Sequence, residues 1–260
     1  MKIVSWNCHY GFDGKKPEIA RKLGADILII PECREIDMEN SGYDENHRDW
    51  YGDHMEATDS SGKVNKKKNL GIGVFWENGI TVTRLPKWDN TLSKESNYRY
   101  LVPYRVEGDF EQFTLIAVWT KNKSGVGDPL DYVQKAHAAV DHYKDIGLLN
   151  GRVVLIGDFN SNVKWDKLYR EGWSHTALIK KLEDYGVKNC SSLDEAKYPT
   201  YCYYHNKNKY HVVDDYCFAS ENLLKSAVFT SPDVSEWTTE NGITRWNGSD
   251  HCPIMVDFSI

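Results

Sequence analysis

The chain has 260 residues, a formal net charge of −6, and 40% hydrophobic and 13% aromatic residues. This length suits one packed domain, 1–260, because such a chain buries roughly three-quarters of the surface that it exposes when unfolded. No apolar run approaches the ~20 residues of a membrane-spanning helix, and the negative net charge argues against a strong non-specific grip on a polyanion.

Six cysteines are scattered along the chain without a Cys-x-x-Cys pair, which argues against a zinc site. Cys8, Cys33, Cys217 and Cys252 each stand beside a polar residue near a strand end, and we expect them to be small buried residues. The first residues are typical of a strand and not of a signal peptide, so we expect reduced thiols and a cytoplasmic location.

Apolar patterning predicts both strands and helices along the chain. Strands are predicted at 2–6, 26–30, 71–75, 80–85, 113–118, 152–156 and 254–256. Helices are predicted at 17–23, 129–146 and 175–185, the last of them ending before Gly186. The chain shows no internal repeat and no low-complexity linker, and the pattern by itself indicates a mixed α and β domain.

Side chains that are suited to phosphate and water chemistry lie at the ends of these strands or just before a strand. They are Asn7, Glu32, Asp158, Asn160, Asp214, Asp215, Asp250 and His251. Alternate residues of a strand point the same way, so Asp158 and Asn160 would face one pocket if the strand geometry persists. A polar turn after a buried strand is the alternative, because Gly, Asp and Asn are ordinary turn residues. Convergence of such residues from scattered segments is what an active site on a rigid sheet requires.

The segments SWNC, PEC, GDFN, DDYCF and SDH, in this order, resemble the motifs of the exonuclease–endonuclease–phosphatase superfamily. The resemblance runs from Asn7 to His251, nearly the whole chain. It implies an α/β fold, a two-sheet, four-layer α-β-β-α sandwich in a single domain, with the site at one end of the sheets. It also implies hydrolysis of phosphate esters with Mg²⁺, for which Mn²⁺ is a substitute.

The resemblance assigns Glu32 to the metal, and a carboxylate is the hard oxygen ligand that Mg²⁺ prefers. Asp250 is expected to contact the metal or its waters. Asn7 is expected either in the outer shell of the metal or as a donor to the phosphate, and a strand-closing turn is the structural alternative for it.

Four other residues are assigned to the activation of the water and to the departure of the leaving group. The resemblance implies that Asp158 orients or deprotonates the attacking water, and that Asn160 holds this water or a phosphate oxygen. His251 would donate to the developing negative charge or abstract a proton. Asp215 would fix the tautomer of His251 and favour its charged form.

The chain departs from the superfamily after the strand predicted at 113–118. Many members carry a His or Tyr there that touches the scissile phosphate, whereas this chain has Trp119, whose indole can donate one hydrogen bond but cannot accept or titrate. Either Trp119 acts as a neutral donor or a stacking platform, or Lys121 and Asn122 contact the phosphate, or Trp119 only fills the core. Arg99 and Tyr204 lie in segments that mix aromatic and basic residues, and they are further candidates for substrate contact.

The leading hypothesis is a monomeric, Mg²⁺-dependent nuclease that acts on DNA. A phosphatase or phosphodiesterase acting on nucleotides, inositol phosphates or phospholipid head groups is the second hypothesis, and a catalytically inactive binding domain is the third. The lysine-rich segment 60–69 fits either a loop that tracks phosphates or a solvated hairpin tip.

Overall fold

The computed structural model describes most of the chain. The described residues are 1–52, 61–62, 65, 69–86, 100–121, 130–170, 172–191, 199–205, 208–233, 237 and 248–260, with backbone only at 204, 205 and 209. The lysine-rich segment therefore falls largely outside the described residues.

Fourteen strands and five α-helices are present in this part of the chain. The strands are β1 (Lys2–Ser5), β2 (Ile27–Arg34), β3 (Arg48–Gly52), β4 (Leu70–Trp76), β5 (Thr81–Arg84), β6 (Leu101–Gly108), β7 (Phe110–Trp119), β8 (Val153–Asp158), β9 (Val187–Asn189), β10 (Tyr201–His205), β11 (Asn208–Val212), β12 (Asp215–Ser220), β13 (Ala227–Thr230) and β14 (Ile254–Phe258). The helices are α1 (Lys16–Lys22), α2 (Glu35–Asn40), α3 (Val133–Asp145), α4 (His175–Asp184) and α5 (Glu221–Leu224).

The strands form two six-stranded sheets and one hairpin. The first sheet has the order β13-β14-β1-β2-β4-β3, and the second has the order β5-β6-β7-β8-β12-β9. Each sheet contains a parallel pair, β1 with β2 and β7 with β8, beside antiparallel neighbours. The hairpin consists of β10 and β11, and an isolated β-bridge joins its Tyr201 to His251, just before β14.

Alternate residues of β2 point into two different cores, as the period of a strand requires. Ile27 and Ile29 lie in the core between the two sheets, whereas Leu28 and Ile30 lie in an outer core that includes residues of α1 and α2. Side chains of α3 and α4 cover the other face of the second sheet. The chain is therefore an α-β-β-α sandwich, as predicted, and each fully buried aliphatic side chain contributes roughly 1.5–3 kcal/mol to its stability.

The predicted elements are observed with shifted ends. The helix predicted at 129–146 begins at Val133, because Tyr132 has a φ of +36° and cannot be helical. The strand predicted to end at residue 30 continues to Arg34 through a bulge. All six cysteines are free thiols, and five of them, including the four expected to be small buried residues, are buried. No helix of the described part is both long and apolar enough to cross a membrane.

Candidate active site

A glycine holds the end of β8 close to β7. Gly157 has a φ of +150°, and a Cβ atom there would stand 2.0 Å from the carbonyl oxygen of Val118. No side chain larger than hydrogen fits in this space. β8 therefore stays in register with β7 up to Asp158, which pairs with Trp119 and is fully buried.

Asn160 meets Asp158 through a turn. β8 ends at Asp158, and Asn160 has a left-handed φ of +43°. The two residues therefore do not face one pocket as alternate residues of a continuous strand. The backbone N–H of Asn160 donates to Oδ1 of Asp158 at 2.8 Å, and its Nδ2 donates to Oδ2 at 2.8 Å. The same Nδ2 donates to the carbonyl of Thr120 at 2.7 Å. The carboxylate thus closes an Asx-type turn and brings both side chains together.

Asn7, two residues beyond β1, joins the two carboxylates that the motifs single out. Its side chain is buried, and Nδ2 donates to Oδ2 of Asp158 at 2.8 Å and to Oε1 of Glu32 at 3.2 Å. Oδ1 of Asn7 accepts the backbone N–H of His9 at 2.9 Å, and its carbonyl accepts from Oγ of Ser249 at 2.5 Å. Both amide N–H donors are used, so Asn7 in this arrangement positions carboxylates and has no donor left for a phosphate.

Glu32 lies at an irregularity of β2. The pairing of β2 with β4 shifts register between Pro31 and Cys33, and Glu32 has a left-handed φ of +59°. An extra residue in one strand leaves the ladder and can redirect its side chain. The carboxylate accepts from Asn7 and, through Oε2, from the backbone N–H of Tyr10 at 2.8 Å. The bulge therefore explains how a residue inside a strand reaches the site.

His251 and Asp215 form a buried pair. Oδ2 of Asp215 lies 2.9 Å from Nδ1 of His251. Asp215 opens β12 and stands opposite Asp158 in the antiparallel pairing with β8, which places two carboxylates side by side. Oγ1 of Thr200 accepts the backbone N–H of Asp215 at 3.1 Å, and Oγ of Ser249 accepts that of His251 at 3.0 Å. The expected partnership of Asp215 with His251 is present in the geometry.

Burial and neighbouring charges change the protonation of this group. Burial raises the pKa of Asp158 to about 7, the positive charge of His251 opposes this shift, and the carboxylate of Asp215 adds to it. Burial alone lowers the pKa of His251, but the carboxylates of Asp215, Asp158 and Asp250 outweigh it and hold this pKa well above its ordinary value. Near neutral pH the site therefore contains an imidazolium beside a carboxylate that is close to its titration midpoint.

Asp250 faces a second histidine. Its Oδ1 lies 3.0 Å from Nδ1 of His9, whose side chain is 35% exposed. Burial raises the pKa of Asp250, but the contact with His9 and the charge of His251 outweigh it, so the net shift is downward. The same contact raises the pKa of His9. Asp250 is thus a charged carboxylate at the partly open side of the site.

Within the described residues, three side chains bring possible metal-ligating atoms within 4.8 Å of one another: Asp158, Asp215 and His251. Glu32 and Asp250, which the resemblance assigns to the metal together with Asn7, lie outside this group. Asn7 links Glu32 to the group through Asp158. The ligand set of a metal at this site stays a prediction.

Trp119 packs in the core. Its side chain is 4% exposed, and its ring centroid lies 4.9 Å from that of Tyr100, which favours the core-filling alternative. Nζ of Lys121 lies 5.1 Å from the Tyr100 ring and 5.2 Å from the Trp119 ring, so this cation covers the aromatic pair. Three other candidates fall outside what the structure describes: Asn122, Arg99 and the side chain of Tyr204. Substrate contact by any of these residues stays a prediction.

Four residues that were not predicted to contact the candidate site residues do so in the structure, through backbone or side-chain atoms. They are His9, Thr200, Tyr201 and Ser249. Ser249 belongs to the SDH motif, so its position was a usable signal. Tyr201 stacks on the ring of His251 with centroids 4.5 Å apart, but it is 50 residues away in sequence, and no local pattern predicts this contact.

No family model and no curated protein matches the sequence. Solved structures match it along its whole length. The endonuclease domain of TRAS1, a telomere-specific non-LTR retrotransposon, has a TM-score of 0.65 at 11% identity and covers 100% of this chain and 98% of its own. The 3′-5′ exonuclease NExo from Neisseria meningitidis has a TM-score of 0.64 at 16% identity and covers 100% of both chains. The catalytic domain of Xenopus laevis APE2 has a TM-score of 0.63 at 18% identity and covers 99% of this chain and 91% of its own. At these identities the likeness establishes a shared fold.

Proposed function

We propose that this chain, which has the endonuclease/exonuclease/phosphatase fold, is a metal-dependent hydrolase of phosphate esters and acts on DNA as a phosphodiesterase. The observation that supports this proposal is the convergence of Asp158 with the Asp215–His251 pair, within 4.8 Å, at one end of the two sheets. Cleavage of a phosphate ester requires an activated water, neutralisation of the phosphoryl oxygens and help for the leaving alkoxide. The site contains a group suited to each of these tasks.

Asp158 is the group suited to activating the attacking water. A general base is most effective when its pKa lies near the working pH, and burial raises the pKa of Asp158 to about 7. Asn7 and Asn160 both donate to Oδ2 of this carboxylate at 2.8 Å, so its orientation is fixed before substrate binds. In the proposed mechanism Asp158 orients the attacking water and accepts its proton.

His251 is the group suited to stabilising the negative charge that develops on the phosphate. Its raised pKa keeps the ring cationic at neutral pH. Because Nδ1 faces Asp215, the tautomer and the ring orientation are set by that carboxylate, and Nε2 is the atom that donates to a phosphoryl oxygen.

The side chains present also fit a divalent cation. Oδ1 of Asp215 is buried and has no hydrogen-bond partner among the described residues, and the carboxylates of Glu32 and Asp250 add hard oxygen donors. Such donors suit Mg²⁺, and Mn²⁺ accepts the same set. When bound, the cation supplies Lewis-acid stabilisation of the phosphoryl oxygens and of the leaving alkoxide.

DNA is the proposed substrate because proteins of this fold that match the whole chain are named as nucleases, and one is described as bound to a product DNA hairpin. A monomer in the cytoplasm remains the working expectation. The negative net charge then implies that binding depends on the metal and on local contacts more than on a broad basic surface.

The test is cleavage of labelled plasmid, abasic-site duplex and single-stranded DNA with and without Mg²⁺, with His251→Ala as the paired variant. We expect metal-dependent cleavage that is lost in the variant. Cleavage of nucleotides, inositol phosphates or phospholipid head groups in place of DNA would retain the hydrolase but reject DNA as its substrate. Metal binding without hydrolysis of any of these esters would reject the proposal that the chain is an enzyme.

A further inference from the structure

A cavity of about 320 Å³ opens beside the catalytic group. Six of the residues that line it are aromatic or apolar: Tyr132, Trp165, Leu168, Tyr169, Tyr201 and Tyr203. They come from three parts of the chain, namely the residue before α3, the short 3₁₀ helix at 163–168 with the residue after it, and β10. The five rings are partly exposed, and Leu168 is 71% exposed. Apolar side chains that stay exposed on one concave surface mark a binding site.

Two residues connect this cavity to the catalytic group. Asn160 lines the cavity and donates to Oδ2 of Asp158 at 2.8 Å. Tyr201 lines it from another side and stacks on His251, with ring centroids 4.5 Å apart and an interplanar angle of 29°. A phosphate held between Asp158 and His251 would therefore direct one of its ester groups toward the cavity.

The size and the lining of the cavity suit a planar ring. Along the hairpin, Tyr201 stacks on Tyr203 and Tyr203 on Tyr210, with centroids 5.6 and 5.3 Å apart and interplanar angles of 19° and 18°. Partly exposed aromatic side chains bind nucleobases by stacking, without reading their sequence. The volume is near the lower end of the ~300–1,000 Å³ range of ligand pockets. The cavity therefore has room for one ring system and not for a base pair.

The charge of the cavity selects a neutral occupant. Its described lining contains no Lys or Arg, and it includes the carboxylate of Asp214. Burial, with the charges of Asp131 and Asp214 among the further causes, raises the pKa of Tyr169 to about 12, so this hydroxyl stays neutral and can donate. A second phosphate in this cavity would meet a carboxylate and no cation. Inositol polyphosphates are therefore poor candidates, whereas a nucleobase is uncharged and stacks on aromatic rings.

We propose that this cavity binds one unpaired nucleobase of the substrate, next to the scissile phosphate. The inference rests on the proposed function, since it takes the phosphate to lie between Asp158 and His251. A base in a duplex must leave its stack to enter such a pocket. The preferred substrate then carries a single-stranded or extruded nucleotide at the cleaved position.

The test measures binding without turnover, by saturation-transfer NMR and competition in the presence of EDTA. The probes are adenosine 5′-monophosphate, ribose 5-phosphate as its base-free counterpart, and O-phosphotyrosine. We expect the nucleotide to bind at least about tenfold more tightly than ribose 5-phosphate, with the strongest transfer to the adenine protons. Tyr203→Ala and Trp165→Leu, one from the hairpin and one from the 3₁₀ helix, should each remove this preference, whereas Tyr185→Ala, just beyond α4 and outside the lining of the cavity, should retain it. Thermal melting checks that each variant is folded.

Equal affinity for the nucleotide and for ribose 5-phosphate would overturn the proposal, and so would retention of the preference in both cavity variants. Tighter binding of O-phosphotyrosine than of the nucleotide would also overturn it and assign the cavity to a tyrosyl ester. These outcomes differ from failure of the proposed function, which is absence of hydrolysis in the presence of Mg²⁺ and does not depend on the EDTA measurement.

Discussion

Nδ2 of Asn7 donates to Oδ2 of Asp158 at 2.8 Å, and this hydrogen bond joins the end of β1 in the first sheet to the end of β8 in the second. The same amide donates to Glu32 on β2. One side chain therefore couples the relative position of the two sheets to the geometry of two carboxylates. A rigid arrangement of this kind is what precise positioning of reacting groups requires.

Asn7→Ala is expected to lower both stability and activity. The variant removes one donor from the fully buried Asp158 and one from Glu32, which should reduce the free energy of unfolding by about 1–3 kcal/mol. Hydrolysis should fall at least ~100-fold, because the carboxylates lose their fixed orientation. Urea unfolding and steady-state kinetics measure the two effects. Asn46→Ala is the matched control, since Asn46 is exposed and bonds only locally to Asp44. Activity equal to that of the control would contradict the role given to Asn7.

Asp215→Asn is expected to remove most of the activity while the fold is retained. The variant keeps the size of the side chain but removes the charge that holds the pKa of His251 above its ordinary value, so that pKa should fall. The loss in kcat should be at least ~100-fold, as expected when a group that is proposed to stabilise the charge developing on the phosphate is impaired. NMR titration of the His251 ring checks the pKa, and Asp184→Asn on the exposed end of α4 is the control. An unchanged pKa of His251 would show that Asp215 does not stabilise the imidazolium.

The sandwich was predictable because its central strands carry strong signals. The apolar run at 152–156 and the run at 26–30 correspond to β8 and β2, and the periodic segment 175–185 corresponds to α4. The order of the motifs then supplied the arrangement of layers, which periodicity alone does not give. The ends were less predictable, since a bulge at Glu32 and a left-handed Tyr132 depend on tertiary contacts.

The site was predictable only where a motif marks it. The Asp215–His251 pair follows from the resemblance, whereas the contact of His9 with Asp250 and the stacking of Tyr201 on His251 join segments that are distant in sequence. The sequence also could not predict that Asn7 donates both amide hydrogen bonds to carboxylates, because this depends on a register in which β1 and β8 end at the same place.

Glu32→Gln is expected to weaken the metal response. Removal of one carboxylate charge should raise the Mg²⁺ concentration for half-maximal activity by roughly 10- to 100-fold, and high Mg²⁺ should restore part of the rate. The neutral amide can still accept from the backbone N–H of Tyr10, so the bulge is retained. Metal titration of activity and direct Mn²⁺ binding by EPR are the measurements, and Glu18→Gln is an exposed control. A metal requirement identical to that of the unmodified chain would exclude Glu32 from the metal site.

His175 should contribute a loss of stability on mild acidification, in a pH range where protonation of Asp158 acts in the opposite direction. Burial lowers the pKa of this histidine from 6.5 to about 4, and its Nδ1 contacts Oγ of Ser161 at 2.9 Å. Between these two pH values the unfolded chain binds the proton and the folded chain does not, so the contribution is present above pH ~6.5 and is lost as the pH falls toward 4. The loss should reach about 3 kcal/mol. In urea unfolding, His175→Gln should gain stability relative to the unmodified chain between pH 7 and pH 4.5, while His142→Gln should not.

Lys16→Met is expected to release the segment that connects Asn7 to α1. Nζ of the buried Lys16 donates to three backbone carbonyls of this segment, those of Cys8 at 2.5 Å, His9 at 3.3 Å and Gly11 at 2.9 Å. This contact holds His9 and Tyr10 at left-handed φ values of +46° and +60°, where they reach Asp250 and Glu32. Methionine fills the space but leaves the carbonyls without their donor, so the free energy of unfolding should fall by about 2–4 kcal/mol. Activity should fall at least ~10-fold even at temperatures where the variant is fully folded, because the segment no longer positions Glu32. Circular dichroism melting and kinetics at 15 °C separate the two effects, and Lys22→Met, on the exposed side of α1, should change neither by a comparable amount.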